Sequence, residues 1–364
     1  MKTGLVLEGG ALRGMFTAGV LDVLSEQGVG VDGVIGVSAG ACFGCNYKSG
    51  QVGRAVRYNT RFARDKRYCS LWSWLTTGNL FNAKFAYHTV AEELDIFDNA
   101  AFVANPMEYH LVATDVLTGR PVYQQMVKGG AWLYEWLRAS SSMPIASRVV
   151  EVDGYKLLDG GISDSIPLRH FESIGYERNV VVLTQPLGFK KKPMRGMWLM
   201  KLLLRKYPKL VEALENRWKM YNDELDYIVQ RAESGHCLII APDKVLPIGR
   251  ISHDAEKMWE THGMGRKAAE ERLEKYYDTN FKNTRKIIDA HMGFFDSLGS
   301  VEKITIIGCS LGAVDMDYYK QLRSSVKGDA QWEFSYHSDE DSKRIEEFCK
   351  ELNIETGCFR TFKM

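Results

Sequence analysis

The chain has 364 residues, 45% of them hydrophobic and 26% charged, with a formal net charge of +1. That length allows two or three domains, the near-neutral charge gives no basis for bulk nucleic-acid binding, and no apolar run approaches the roughly twenty residues of a membrane-spanning helix. The seven cysteines are scattered and odd in number, which favours a reducing, cytoplasmic setting over a disulfide framework.

The first predicted element is Gly4-Leu5-Val6-Leu7, a buried strand, too short behind Lys2 to be the apolar region of a secretory leader. Glu8-Gly9-Gly10-Ala11-Leu12-Arg13-Gly14 follows, and helical apolar spacing runs from Met15 to about Leu24. Strand, glycine loop and helix together aim backbone N–H groups at an anion, and Gly9 and Gly10 let the main chain approach a ligand closely. A dinucleotide-binding turn is the rival reading, but it needs G-x-G-x-x-G, and the glycines here are spaced differently.

Val34-Ile35 reads as the end of a second strand and Ala39 to Lys48 as a helix. Between them Gly36-Val37-Ser38-Ala39-Gly40 has the form of a nucleophile elbow, a turn so tight that Gly36 and Gly40 are needed to avoid clashes and Ser38 is pushed into the open. The pattern recurs at Gly308-Cys309-Ser310-Leu311-Gly312, after the apolar run Ile304 to Ile307. Surroundings favour Ser38. A serine attacking a carbonyl needs oxyanion donors, which the opening glycine loop can supply; no comparable loop precedes Ser310, and its nearby acid, Asp315, lies on the same segment. Cys42-Phe43-Gly44-Cys45 falls inside the predicted helix without a second pair or a histidine cluster at metal spacing, so neither a metal nor another cofactor is expected.

Arg54 to Phe62 reads as helix. Leu71-Trp72-Ser73-Trp74-Leu75 with Leu80-Phe81 is an aromatic cluster suited either to an acyl pocket or to core packing. Strands are predicted at Tyr109 to Ala113 and Val122 to Gln125, and a helix at Trp132 to Arg138. Val149 to Val152 and Tyr155 to Leu158 flank Asp153-Gly154 as a hairpin, and Asp159-Gly160-Gly161 closes its second strand. A serine hydroxyl needs a base. Asp159 can serve, or it can simply organise its own turn. Gly9-Gly10, Ser38 and Asp159 each follow a predicted strand, so if these strands are parallel all three loops open on the carboxyl edge of one sheet, where open α/β sheets bind ligands. His88, His110 and His170 leave a triad open, although none sits in a base-like motif. Val180 to Leu183 is a further buried strand. The alternation argues for an α/β sandwich with a largely parallel sheet.

These residues resemble the patatin-like phospholipases, a family of lipid acyl hydrolases. The resemblance runs from Leu5 to about Pro186. It rests on Glu8 to Gly14 with Thr17-Ala18-Gly19-Val20-Leu21, on Gly36 to Gly40, and on Asp159-Gly160-Gly161. It implies an oxyanion hole at Gly9, Gly10 and Ala11, a Ser38–Asp159 dyad acting through an acyl-enzyme, and supporting roles for Arg13, Gly36, Gly40, Gly160 and Gly161. Ala11 departs from the family, where many relatives have a third glycine; an alanine keeps its N–H, so the hole survives the change unless the position needs positive φ.

Beyond Pro186 the composition shifts. Lys190 to Lys209 holds eight basic residues and no acidic one, interleaved with Met197, Trp198 and Leu202-Leu203-Leu204. That suits an interfacial helix on anionic lipid at the inner membrane surface, or a cap with its lysines in water. Pro208 to Arg231 and His253 to Tyr277 read as helices, and Leu238 to Ala241 as a strand. The last part reads as helix to Leu298, strand Lys303 to Ile307, strand Trp332 to Tyr336 and helix Asp341 to Leu352. Gly308-Cys309-Ser310-Leu311, Asp315, Tyr318-Tyr319 and Trp332 are similar to the C-terminal part of AbiH-type abortive-infection proteins, with Cys309 where a His is usual. The expected organisation is a catalytic domain over 1–187, a mostly helical extension over 188–279 and a small α/β module over 280–364. The expected activity is hydrolysis of phospholipid or other lipid esters without a cofactor. The competing expectation is a binding or regulatory protein whose C-terminal module recognises a nucleotide or a partner, in phage defence for instance.

Overall fold

A computed structural model of the chain describes residues 1–280, 284–307, 315–336 and 339–363. It divides into two compact units, 1–272 and 273–364. The first is built on an eight-stranded sheet: β1 (Lys2–Leu7), β2 (Gly33–Val37), β3 (Glu108–Asp115), β4 (Pro121–Gln125), β5 (Val150–Val152), β6 (Tyr155–Asp159), β7 (Tyr176–Val182) and β8 (Cys237–Ile240). The order is β5-β6-β3-β2-β1-β7-β8, with β4 also paired to β3. The steps β3-β2-β1-β7-β8 are parallel. At the centre, Leu5-Val6-Leu7 of β1 and Val34, Ile35 and Val37 of β2 form apolar runs without alternation, and all are buried. Such runs are the mark of strands covered on both faces.

One face carries the helices Met15–Glu26 and Ala39–Lys48, which pack on each other. The other is covered by Pro208–Glu233, whose Tyr221, Leu225 and Ile228 join Val6, Val37, Val112 and Val181 in one core cluster. Residues 188–272 therefore share this unit with 1–187 and add β8 to its sheet.

The expectation that Asp159 ends a parallel strand is corrected. β6 runs antiparallel to β3 on one side and to β5, its hairpin partner across Asp153-Gly154, on the other. The carboxylate still reaches the carboxyl edge, by register. Val37 pairs with Val112, and the next residue of β3, Ala113, pairs with Asp159. Consecutive positions of β3 thus bring the end of β2, and with it Ser38, to the end of β6.

The second unit holds a three-stranded parallel sheet in the order β11-β10-β9: β9 (Lys303–Ile306), β10 (Gln331–Tyr336) and β11 (Phe359–Lys363). Trp332 and Phe334 alternate inward on β10 and pack against Phe348 and Leu352. The serine motif Gly308 to Gly312 lies outside the described residues.

Candidate active site

Val37 is the last residue of β2, and a helix starts at Ala39 with no connecting loop. Ser38 takes up the whole change of direction with φ 55° and ψ −121°, a conformation that non-glycine residues hold only where the surroundings impose it. The flanking glycines are required by contact. A Cβ on Gly36 would lie 2.6 Å from the Ala41 nitrogen, and one on Gly40 would lie 2.5 Å from the Leu7 carbonyl oxygen. The Ser38 N–H donates to Ser140 Oγ at 2.9 Å, and the Ser140 hydroxyl donates to the Val112 carbonyl at 2.6 Å, so the elbow is fastened to β3.

Asp159 is buried beside it. Its carboxylate accepts from the Gly161 N–H at 2.8 Å, and Ser38 lines the same cavity. Its backbone is pinned by an N–H donated to the Ser142 carbonyl at 2.7 Å and by the Thr114 hydroxyl, which donates to its carbonyl at 2.8 Å. Gly160 is needed there: a Cβ would stand 2.2 Å from the Val112 oxygen. Burial pushes the Asp159 carboxyl above its ordinary value, opposed by Arg217, the Ser38 hydroxyl and the Gly161 N–H.

The opening loop lies against the elbow. A Cβ on Gly9 would touch Ser38 Cβ at 3.0 Å, and one on Gly10 would meet Thr184 Oγ1 at 2.7 Å. The N–H groups of Glu8, Leu12 and Arg13 donate to the carbonyls of Val182, Arg250 and Gly10, which leaves those of Gly9, Gly10 and Ala11 without an acceptor among the described residues. Ala11 has φ 49°. The position is thus left-handed, at a cost to an L-residue of about 1–2 kcal/mol. Glu8 anchors the loop from beneath, accepting from the Thr184 N–H at 2.6 Å and the Tyr221 hydroxyl at 2.8 Å.

A family model described as patatin-like phospholipase matches residues 5–171. This segment is a patatin-like phospholipase domain. A second family model, a domain of unknown function (DUF6363), matches residues 207–280. Among curated proteins, the uncharacterized protein YjjU of Escherichia coli K12 is 33% identical over 193 residues, which are 51% of this chain and 52% of that protein. The lysophospholipase nte1 of Aspergillus oryzae is 28% identical over 189 residues, 48% of this chain and 11% of that one. The chain thus spans about half or less of the curated relatives it matches. Among solved structures, VipD from Legionella pneumophila aligns with a TM-score of 0.38 at 12% identity, covering 75% of this chain and 67% of that one.

In the patatin-like domain, Ser38 lies where two cavities meet. One is mostly apolar and lined by Tyr68, Phe81, Tyr87, Val90, Phe97 and Leu137 among others. The aromatic stretch singled out in the sequence divides: Phe81 lines this cavity, whereas Leu71, Trp72 and Leu75 are exposed and line neither space. The other cavity holds Gly9, Gly10, Ala11, Arg13, Asp159 and Gly161, and also Lys191, Arg217 and Arg250. Sequence reasoning missed the last two, and it read Lys191 as part of a segment either facing a membrane or capping the domain with its lysines in water. Arg217 had a visible signal. It sits in register with Leu210, Leu214, Tyr221, Leu225 and Ile228 on the buried stripe of its helix, where a charge is out of place.

No histidine lines either cavity among the described residues. His88 pairs with Glu135 at 2.8 Å, His110 with Glu108 at 3.3 Å, and His170 stacks on Tyr123. Cys42 and Cys45 lie within the helix after Ser38, and burial pushes their thiols up to about 11 and about 12. Among the described residues no group of three or more His, Cys, Asp or Glu is arranged to hold a metal.

Proposed function

We propose that the chain is a lipid acyl hydrolase working through a Ser38–Asp159 dyad and an acyl-enzyme. Asp159 takes the proton as Ser38 Oγ attacks the ester carbonyl carbon. The resulting oxyanion is held by the N–H groups of Gly9, Gly10 and Ala11, and collapse expels the alcohol, which regains the proton from Asp159. Water then attacks the acyl-serine with Asp159 again the base, releasing the carboxylic acid and restoring Ser38. The observation that carries this reading is the free donor set in one cavity with Ser38 and a buried carboxylate whose ionised form the Ser38 hydroxyl favours. The lysophospholipase nte1 and the apolar cavity support a lipid ester as substrate. A fluorophosphonate is the direct test. It is expected to add once, on the peptide bearing Ser38; an adduct elsewhere, or none, rejects the assignment.

The same reading includes peripheral contact with a membrane. No helix among the described residues is long and apolar enough to cross one. Within Lys190 to Lys209, however, Trp198, Leu202 and Leu203 are exposed beside a run of basic residues. Lys190, Lys201 and Lys209 are tied to Asp226, Glu215 and Glu212, which leaves Lys192, Arg195, Arg205 and Lys206 for lipid, each contributing about 1 kcal/mol near an anionic surface. The protein is expected to float with phosphatidylglycerol liposomes and not with phosphatidylcholine ones. Equal flotation with both removes the electrostatic contact.

A further inference from the structure

The two cavities at Ser38 have opposite chemistry. The apolar one contains a single cationic residue, Arg54, and it is neutralised in place: its Nε lies 3.3 Å from Asp95 Oδ1 and its Nη1 donates to Asn46 Oδ1 at 3.0 Å. Nothing there asks for a charged ligand. The polar cavity gathers Arg13, Lys191, Arg217 and Arg250 around the glycine loop.

None of those four has a carboxylate within ion-pair distance among the described residues. Arg13 Nε is buried with no hydrogen-bond partner. Lys191 Nζ rests over the Tyr221 ring at 3.3 Å, and burial, with Arg217 and Arg250 adding repulsion, pulls its pKa down to about 7. Arg217 spends its Nε on the Gly161 carbonyl, which keeps the head near Asp159. The nearby acids are engaged elsewhere. Glu8 accepts from Thr184 and Tyr221, and Glu224 from the N–H groups of Ser165 and Ile166 at 3.2 and 3.1 Å. Four converging cations that face Asp159, Glu8 and Glu224 without pairing directly with any of them are costly to hold in a partly buried space. An anion with several acceptor oxygens would satisfy them at once.

We propose that this cavity is a head-group subsite that selects lipids ending in a phosphate monoester, of the phosphatidate or lysophosphatidate class, over those carrying choline. It rests on the hydrolase reading and deepens it: the acyl chain enters the apolar cavity, the ester carbonyl meets Ser38, and the phosphate turns toward the four cations. A choline head would instead bring a quaternary ammonium into the same cluster. Lys191, Arg217 and Arg250 all lie beyond the segment 5–171, and Arg217 and Arg250 fall within 207–280. The extension, rather than the patatin-like segment, thus supplies most of the selectivity.

The test compares dihexanoyl phosphatidate with dihexanoyl phosphatidylcholine as monomers, so that acyl chains match and no charged interface forms. Wild-type kcat/KM is expected to favour phosphatidate at least tenfold. Arg250→Met and Lys191→Met are each expected to shrink that ratio about tenfold or more, the loss of one charge-assisted contact. An unbiased wild type, or a ratio that neither variant moves, overturns the subsite. If wild type hydrolyses neither lipid, the hydrolase reading fails by itself, and binding then decides the subsite. Calorimetry on Ser38→Ala protein should detect dihexanoyl phosphatidate binding that weakens about tenfold when Arg250→Met is added. Absence of binding, or equal binding of phosphatidylcholine, rejects it. Inorganic phosphate binding as tightly as phosphatidate assigns the site to free phosphate and overturns the lipid assignment.

Discussion

Ser38→Ala is expected to lower hydrolysis of p-nitrophenyl butyrate by at least about ten-thousandfold, the scale seen when an acyl-transfer nucleophile is removed, with the melting temperature within a few degrees of wild type. The large loss follows from the absence of a substitute. Cys42 also lines the apolar cavity, but its thiol is held protonated by burial and is committed to Ser141 at 3.2 Å. No histidine lines either space among the described residues to activate water in place of the hydroxyl. The fold should survive because the elbow is held by backbone contacts. The bond from the Ser38 N–H to Ser140 and the close packing of Gly36 and Gly40 do not involve Oγ, and alanine meets the same positive φ as serine. Ser310→Ala is the matched control, expected to retain wild-type turnover. The opposite pattern, with Ser310→Ala inactive and Ser38→Ala active, would transfer the nucleophile to the second motif.

What the sequence disclosed about this site follows the range over which each constraint acts. The elbow was legible because a strand-to-helix turn leaves a local mark, Gly36 facing the Ala41 nitrogen five residues on, although the Leu7 carbonyl that Gly40 faces belongs to the neighbouring strand. The glycine loop was legible from its own short pattern between strand and helix, but the backbone of Ala11 was not. Only the fold sets φ 49° there. Asp159 was found through its two glycines, yet the direction of its strand was misjudged. A hairpin fixes how β5 and β6 pair with each other and says nothing of how the pair meets β3. Arg217 stood on an apolar stripe and was readable in principle. Lys191 was not, since nothing in a run of eight basic residues distinguishes the one that turns inward. In the second unit β11 escaped notice because Phe359–Lys363 is five residues long, with Phe359 and Phe362 its only apolar positions.

Asp159→Asn is expected to cut turnover about a thousandfold or more while leaving the protein more stable than wild type at neutral pH. Both effects have one source. The carboxyl is buried, and burial raises its pKa above the ordinary carboxylate value, so the ionised form that can accept the Ser38 proton is the form the fold tolerates less well. Activity needs that ionised form. The acid limb of wild-type kcat/KM should therefore lie above the usual carboxylate pKa of about 3.9, and the variant's residual activity should lack this limb. Stability runs the other way. A group whose folded pKa is raised contributes most below its unfolded pKa, and that contribution is lost as pH climbs through the folded value. An amide keeps the acceptor for the Gly161 N–H and never ionises, so the gain in melting temperature of Asp159→Asn over wild type should be larger at neutral pH than at about pH 4, near the ordinary carboxylate pKa. A variant with near wild-type turnover would remove Asp159 from the chemistry. One that is inactive but destabilised equally at both pH values would give the carboxylate a structural part instead, with Arg217 its partner of greatest effect.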